Sequence, residues 1–248
     1  MLTQDRHSMI LNLLEKKSSV TLTELIALLN TSESTIRRDL TALDKEGKLH
    51  KVYGGATSLD FYSAREEDIR VKQDLHMAEK NLIAKKAAGL VERNDLVYID
   101  AGTTTELLID YLTQRRAIYV TNGTAHASKL ADKGFTAFII AGQLKKSTAA
   151  IIGTSAVESL RSYNFTKGFF GTNGISIQSG FSTPDPIEAS VKKAAMRRCQ
   201  KAYVLADSAK FDKITPITFA DLREGFIITD ILKDKRYSTY TKILEVCK

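Results

Sequence analysis

Short apolar segments alternate with longer helical patterns over the last two thirds of the chain. The apolar segments lie at residues 96–99, 118–121, 137–141, 168–170, 203–206 and 226–229, and helical stretches lie between most of them. Strands that alternate with helices form a mostly parallel sheet on which the helices pack. We therefore predict that residues 78–248 form a wound α/β domain, preceded by a domain over residues 1–57 and a charge-rich connector over 58–77.

The composition is that of a globular protein without a membrane span. Apolar residues make up 43% of the 248 residues and charged residues 26%. No stretch approaches the roughly 18 consecutive apolar residues that a span requires. The N-terminus has no apolar segment before a cleavage site, and Cys199 and Cys247 form no paired-cysteine motif, so we expect a cytoplasmic protein. The net charge of +7 suits a polyanionic partner or a phosphorylated ligand.

Residues 1–57 have the pattern of three short helices followed by a small hairpin. The first helix follows Thr3, and its apolar face is predicted to consist of Met9, Ile10, Leu13 and Leu14. Thr21 and Glu24 have the spacing of a capping box at the start of the second helix. Ser32 is a good N-cap for the third helix, and Gly47 supplies its left-handed end. The link of about three residues between the second and third helices is the helix-turn-helix spacing.

The third helix has hydrogen-bond donors on the face opposite its apolar residues. These donors, which lie in the first two turns, are Ser32, Ser34, Thr35, Arg37 and Arg38. A recognition helix uses such positions to contact base edges and phosphates. In the hairpin, Lys48 and Lys51 are placed to contact phosphates beside the groove. The alternative is a solvated surface helix, but the hairpin favours a winged helix-turn-helix that binds double-stranded operator DNA.

The same residues carry a family resemblance. The segment Ser-Glu-Ser-Thr-Ile-Arg-Arg-Asp-Leu over 32–40, then Gly47 and then Gly-Gly-Ala over 54–56, resembles the signature of the deoxyribonucleoside-repressor (DeoR) family of bacterial transcription regulators. This resemblance implies that residues 1–57 bind DNA.

Polar clusters follow four of the predicted strands at their C-terminal ends, where wound sheets hold ligands. The first loop offers amides and hydroxyls for a phosphate, and a carboxylate for sugar hydroxyls. The predicted ligand residues of the four loops are Asp100, Gly102, Thr103, Thr104, Thr105, Thr121, Asn122, Asn173 and Lys210. Ordinary turn and cap residues are the alternative for each loop taken alone. The convergence of four loops favours a binding site.

A further helix start contributes two more candidates. Asp185 and Pro186 form a good N-terminus, and Glu188 and Lys192 follow four residues apart. The two side chains either pair on the helix surface or contact the ligand.

The larger domain also resembles the DeoR family, through its sensor domain. The matching pieces are Asp-Ala-Gly-Thr-Thr (100–104), Thr-Asn (121–122), Gly-Thr-Asn-Gly (171–174), Glu-Ala-x-x-x-Lys (188–193) and Asp-Ser-x-Lys-Phe (207–211). Such domains are similar to ribose-5-phosphate isomerase, glucosamine-6-phosphate deaminase and CoA transferases, and they bind phosphorylated sugars without turning them over. The chain looks most like regulators of fructose operons in Gram-positive bacteria, which implies fructose 1-phosphate as the effector.

Two functions follow from these patterns. The favoured one is a repressor of a sugar-utilisation operon, expected to be a homodimer or a higher oligomer with no catalytic residues. The alternative is a sugar-phosphate isomerase or deaminase with an accessory N-terminal domain, in which Asp100, Glu188 and Lys210 transfer protons. The sequence has no nucleotide-binding glycine motif and no metal-ligand spacing, so we expect no cofactor and no metal.

Overall fold

The computed structural model describes residues 3–17, 19–52, 54–58 and 75–247. Its contacts divide the chain into two units, residues 1–65 and residues 66–248. Most of the predicted connector over 58–77 lies outside the described residues. Among the described helices, none is long and apolar enough to cross a membrane.

The N-terminal unit contains three helices and a three-stranded antiparallel sheet. In chain order the elements are α1 (Thr3–Lys17), β1 (Ser19–Thr21), α2 (Leu22–Leu29), α3 (Glu33–Lys45), β2 (His50–Val52) and β3 (Gly55–Thr57). The sheet order is β1-β3-β2, so the predicted hairpin gains a third strand from the segment before α2. One apolar core, with Ile10, Leu25 and Ile36 fully buried, joins all three helices.

The predicted starts of α2 and α3 and the left-handed end of α3 are confirmed, whereas Thr3 lies within α1 and does not precede it. Thr21 and Glu24 form the capping box, and the Ser32 hydroxyl accepts a hydrogen bond from the Thr35 amide. Gly47 has a φ of +67°, the left-handed conformation that glycine adopts without a steric cost. The prediction for Met9 is wrong, because this side chain is 40% exposed and lies off the apolar face of α1.

The larger unit is built from short helices and strands arranged around one large sheet. In chain order its elements are α4 (Met77–Ala88), β4 (Leu96–Ile99), α5 (Thr103–Leu108), β5 (Ile118–Thr121), α6 (Thr124–Asp132), β6 (Thr136–Ile139), β7 (Gln143–Lys145), β8 (Ala150–Ile152), α7 (Thr154–Leu160), β9 (Phe165–Gly171), β10 (Gly174–Ser176), β11 (Gly180–Thr183), α8 (Pro186–Met196), β12 (Cys199–Leu205), β13 (Ile217–Ala220), β14 (Phe226–Thr229) and β15 (Ile243–Glu245). Short 3₁₀ turns lie at Ile109–Tyr111, Ser208–Lys210, Leu222–Glu224 and Lys235–Thr239.

Seven parallel strands form the large sheet, in the order β15-β14-β12-β9-β4-β5-β6. Alternate side chains of a strand point to opposite faces, so the neighbours Phe169 and Phe170 enter different cores. Helices α7 and α8 cover the core that contains Phe170, and α4, α5 and α6 cover the other. The parallel α/β prediction is confirmed.

The sheet order brings the predicted loops together. Strands β12, β9, β4 and β5 are consecutive neighbours, and each is followed by one of the four polar clusters identified in the sequence. Because all four strands are parallel, their C-terminal ends lie at the same edge. The small antiparallel sheet β10-β11-β13 and the hairpin β7-β8 were not predicted.

Candidate functional site

The face of α3 predicted to contact DNA is exposed, and its first turn is ordered by hydroxyl groups. The Ser32 hydroxyl lies 3.0 Å from that of Ser34 and 2.9 Å from that of Thr35. Arg37 forms an exposed ion pair with Glu33, one turn earlier, at 2.7 Å. The Arg38 Nε donates to the Ser34 carbonyl at 3.4 Å. Both guanidinium groups therefore lie on the solvent face, with only surface partners.

The two predicted wing lysines have different surroundings. Lys51 Nζ donates to the Thr41 hydroxyl at 2.8 Å, and its backbone amide donates to the Asp44 carboxylate at 3.0 Å. These bonds attach β2 to α3. Lys48 pairs with Glu46 at 2.8 Å, and both side chains are about half exposed. Lys51 thus has a fixed position beside α3, whereas Lys48 is a surface charge.

A buried acid on α3 was not anticipated from the sequence. Asp39 is 5% exposed and accepts hydrogen bonds from Arg6 Nε at 2.8 Å and His7 Nε2 at 3.2 Å. Burial opposes ionisation, but the two basic groups outweigh it and lower the pKa of Asp39. These two hydrogen bonds join α1 to α3. They connect residues more than 30 positions apart, and no local sequence pattern predicts them.

In the larger unit, Asp100 follows β4 and is 1% exposed. Its carboxylate forms an ion pair with Lys192 of α8 and accepts a hydrogen bond from the Gly171 amide at 3.0 Å. Lys192 also donates to the Gly171 carbonyl at 3.2 Å. Burial raises the pKa of Asp100, and the Lys192 ammonium and the Gly171 amide oppose this rise. Asp100 and Lys192 therefore connect the loop after β4, the end of β9 and helix α8.

Three other predicted ligand residues form hydrogen bonds with the backbone of the loops. Thr105 donates its hydroxyl to the Asp100 carbonyl at 2.6 Å and lies 3.2 Å from His126 Nε2. Thr121 accepts from the Gly123 amide at 3.0 Å. The Asn122 side-chain oxygen accepts from the Ala101 amide at 2.8 Å.

A cavity of about 220 Å³ opens beside these loops. Seven predicted residues line it, namely Gly102, Thr103, Thr104, Asn173, Glu188, Lys192 and Lys210. Asp100, Thr105, Thr121 and Asn122 do not line it, because their polar atoms bond to the loop backbone or, for Asp100, to Lys192 as well. Lining residues that were missed in the sequence include Leu75, His76, Lys80, Thr148, Asp207 and Lys213. Asp207 begins the Asp-Ser-x-Lys-Phe motif but was not predicted as a ligand residue, and no motif marks the other five.

Glu188 has partners on the β7-β8 hairpin. Its carboxylate accepts a hydrogen bond from the Thr148 hydroxyl at 2.6 Å and lies 3.3 Å from Lys145 Nζ. Lys145 also pairs with Asp185, the N-cap of α8, at 2.6 Å. Glu188 and Lys192 therefore do not pair with each other on the helix surface, because Lys192 turns inward and pairs with Asp100.

The lining of the cavity includes groups suited to an anion. The ammonium groups of Lys210 and Lys213 have no hydrogen bond or ion pair within the described part of the chain, and both line the cavity. Gly102 is the N-cap of α5, and it has no side chain that could accept hydrogen bonds from the amides of the first turn. The N–H groups of this turn therefore remain available as donors. Thr103 and Thr104, which carry hydroxyl groups, also line the cavity.

The comparisons with known proteins cover both units. Residues 6–61 match the family model for the DeoR-like helix-turn-helix domain, and residues 75–231 match the model for the DeoR C terminal sensor domain. The chain is 42% identical over 247 residues to the uncharacterized HTH-type transcriptional regulator FruR of Bacillus subtilis (strain 168), which covers 97% of this chain and 96% of that protein. It is 30% identical over 246 residues to the lactose phosphotransferase system repressor of Staphylococcus aureus (strain NCTC 8325 / PS 47), with 98% of each chain covered.

Solved structures align over about half of the chain. Ribose 5-phosphate isomerase A from Neisseria gonorrhoeae aligns with a TM-score of 0.41 and 14% identity, over 56% of this chain and 54% of that one. The family of the chain is shown by the two matching family models and by the relatives that align over nearly their full length, without this structural alignment. The chain belongs to the DeoR family of DNA-binding transcriptional regulators.

Proposed function

We propose that this regulator represses a sugar-utilisation operon and that a phosphorylated sugar bound in the larger unit controls its affinity for the operator. Fructose 1-phosphate is the best candidate for this effector. The observation that carries the proposal is the cavity at the strand ends, which is lined by Lys210 and Lys213 as well as by Gly102, Thr103 and Thr104.

The chemistry of the wall fits the two parts of such a ligand. A phosphate dianion is stabilised by ammonium groups, hydroxyls and backbone amides together, and the residues that line the cavity include all three kinds of group. Sugar hydroxyls need acceptors as well as donors. The Glu188 carboxylate and the Asn173 amide supply these on the same cavity.

The names of two relatives support control by a sugar. One is named FruR, and another is named for the lactose phosphotransferase system. The proposed active form is a cytoplasmic homodimer or higher oligomer, because helix-turn-helix proteins commonly bind two half-sites of an operator. Sedimentation of the full chain tests the oligomeric state.

The arrangement of Asp100 disfavours the alternative of an isomerase or deaminase. A proton-transfer group must reach the substrate, whereas the Asp100 carboxylate is 1% exposed and is held by Lys192 and the Gly171 amide. Incubating the protein with candidate sugar phosphates and assaying for product tests this directly.

The test of the proposed effector combines calorimetry with operator binding. Fructose 1-phosphate, other hexose phosphates and unphosphorylated fructose are titrated into the full chain, and the ligand that binds is then added to an operator titration. A ligand at a hundred times its Kd should stabilise the fold by about 2.7 kcal/mol. Equal binding of fructose with and without its phosphate would contradict the phosphate site. Unchanged operator affinity with every sugar phosphate would contradict the sensor role.

A further inference from the structure

Strand β6 is an edge strand of the large sheet. In the described part of the chain it pairs only with β5, in parallel register from Thr136 to Ile139. The amide of the next residue, Ile140, donates to the Thr121 carbonyl. Because the backbone groups of a strand alternate in direction, the N–H and C=O groups of Ala137 and Ile139 point away from β5. The edge therefore presents backbone donors and acceptors with which another strand can pair.

The side chains at this edge are apolar on both faces of the sheet. Phe138 is 51% exposed, and Ile139 on the opposite face is 45% exposed. Ile118 of β5 is also exposed and lies on the same face as Phe138, because Phe138 is in register with Val120. Leu144 of the next strand, β7, is 55% exposed. Exposed apolar groups that cluster in this way mark protein–protein contacts.

The features that protect an edge strand are missing from this segment. Native edge strands carry lysine or other charges, proline or a bulge, which prevent pairing with another chain. Residues 134–144 contain no charged residue and no proline, although 26% of the chain is charged. The register of β6 with β5 is regular over the whole strand. We therefore expect another strand to cover this edge.

The charge of the chain favours a second copy as the occupant. A twofold contact places each residue against its own copy or a near neighbour of it, so any charges in the contact face like charges. The net charge of +7 opposes such self-contact, but residues 134–144 contribute nothing to it. A copy of β6 is also complementary to β6 in antiparallel pairing, because each strand offers the other the same donors and acceptors.

We propose that β6 pairs antiparallel with β6 of a second copy and joins the two large sheets into one across a twofold axis. One register uses the outward backbone groups of both Ala137 and Ile139. In it, Ala137 exchanges hydrogen bonds with Ile139 of the partner subunit, and Phe138 lies opposite Phe138 of the partner subunit at the axis. The inference rests on the proposed function, because it supplies the surface for the proposed oligomer.

Sedimentation of the full chain at several concentrations tests the interface. Phe138→Lys places two like charges against each other at the axis, so this variant should sediment as a species of half the wild-type mass. Ile231→Lys is the matched control. Ile231 is an apolar residue of similar exposure, but it comes shortly after β14, towards the other end of the sheet order. This variant should keep the wild-type mass.

A disulfide cross-link tests the register without depending on the lysine variant. The Cα atoms of a pair that lies opposite without hydrogen bonds are about 4.5 Å apart, within the range of a disulfide. Phe138→Cys in a Cys247→Ser background should therefore form a covalent dimer on mild oxidation. Burial raises the pKa of Cys199 to about 12, so this native thiol should stay unreactive. Ile231→Cys in the same background should not cross-link.

The outcomes separate this interface from the proposed effector. A wild-type mass in Phe138→Lys, or no more cross-linking in Phe138→Cys than in Ile231→Cys, overturns the interface and leaves the effector and its calorimetric test in place. A wild type that sediments as a monomer overturns the proposed oligomer and this interface together. The edge of β6 would then be left for a strand of a different protein.

Discussion

Lys192 and Asp100 are separated by 92 positions in the chain and form a buried ion pair at the strand ends of the large sheet. The carboxylate belongs to the loop after β4, and the ammonium belongs to α8. Lys192 also lies over the ring of Phe219, with its Nζ 5.7 Å from the ring centroid. The pair therefore fixes one wall of the cavity and leaves Asp100 itself out of reach of a ligand.

Removing one member of this pair should be costly, because it leaves the other charge buried without a partner. Asp100→Asn should lower the free energy of unfolding by about 3–5 kcal/mol. The double variant Asp100→Asn, Lys192→Met removes both charges and should recover most of this loss. Chemical unfolding of the full chain measures both. A double variant that is no more stable than Asp100→Asn would contradict the assignment of the loss to an unpaired Lys192.

The guanidinium of Arg37 should contribute to operator recognition. Its partner Glu33 is exposed, so DNA can replace this ion pair at little cost. Arg37→Ala should weaken operator binding by about 1–3 kcal/mol if the side chain contacts a base, and Arg38→Ala is tested alongside it. Arg93→Ala, an exposed arginine of the larger unit, is the control and should bind like the wild type. Unchanged operator affinity in both α3 variants in a gel-shift titration would refute this role.

Local signals in the sequence were sufficient for the helix starts and for most of the large sheet. Thr21, Ser32 and Asp185 each cap a helix through an amide two or three residues away, so neighbouring residue types determine these ends. The strands at 96–99, 118–121 and 226–229 were predicted with the observed bounds because each is a short apolar run.

The details of the site depend on contacts that no local pattern contains. A polar residue after a strand either lines the cavity or bonds to a neighbouring loop, and the adjacent residues Thr104 and Thr105 differ in this way. Both residues belong to the first turn of α5, where successive side chains point in different directions. Likewise, the inward turn of Lys192 depends on Asp100, and the cavity lining by Thr148 depends on the unpredicted β7-β8 hairpin.

The wing should bind DNA without reading its sequence. Lys51 is held against α3 by the Thr41 hydroxyl, so its ammonium is placed beside the recognition helix before DNA binds. Lys51→Ala should weaken specific and non-specific binding equally and reduce the slope of affinity against salt by about one unit. Anisotropy titrations at several salt concentrations, with operator and unrelated duplexes, measure both. A variant that changes base preference at the wild-type slope would contradict a phosphate contact.

His126 should make the stability of the larger unit fall in acid. Burial lowers its pKa to about 4, from an ordinary value near 6.5. The unfolded chain therefore takes up this proton first, and stability is lost as the pH falls from about 6.5 to about 4. The loss from His126 should be about 2–3 kcal/mol between about pH 7.5 and about pH 4.5. His126→Gln should lack this part of the pH dependence in chemical unfolding, and an identical profile in both proteins would contradict it.

The response to the effector should be separable from DNA binding. Lys210 and the Thr104 hydroxyl line the cavity and belong to a different unit from α3. Lys210→Ala and Thr104→Val should therefore still bind the operator, but fructose 1-phosphate should no longer change that binding, because the phosphate loses a cation or a donor. Each variant would act as an unresponsive repressor.

Lys201→Ala is the control for this loss of response. Lys201 is an exposed lysine of β12 that does not line the cavity, so its removal changes the net charge as Lys210→Ala does without touching the proposed site. Effector and DNA must each weaken the binding of the other by the same factor, and this factor should be roughly 5–150 in the wild type and in Lys201→Ala. A Lys210→Ala protein with the wild-type factor would show that the phosphate does not lie beside this lysine.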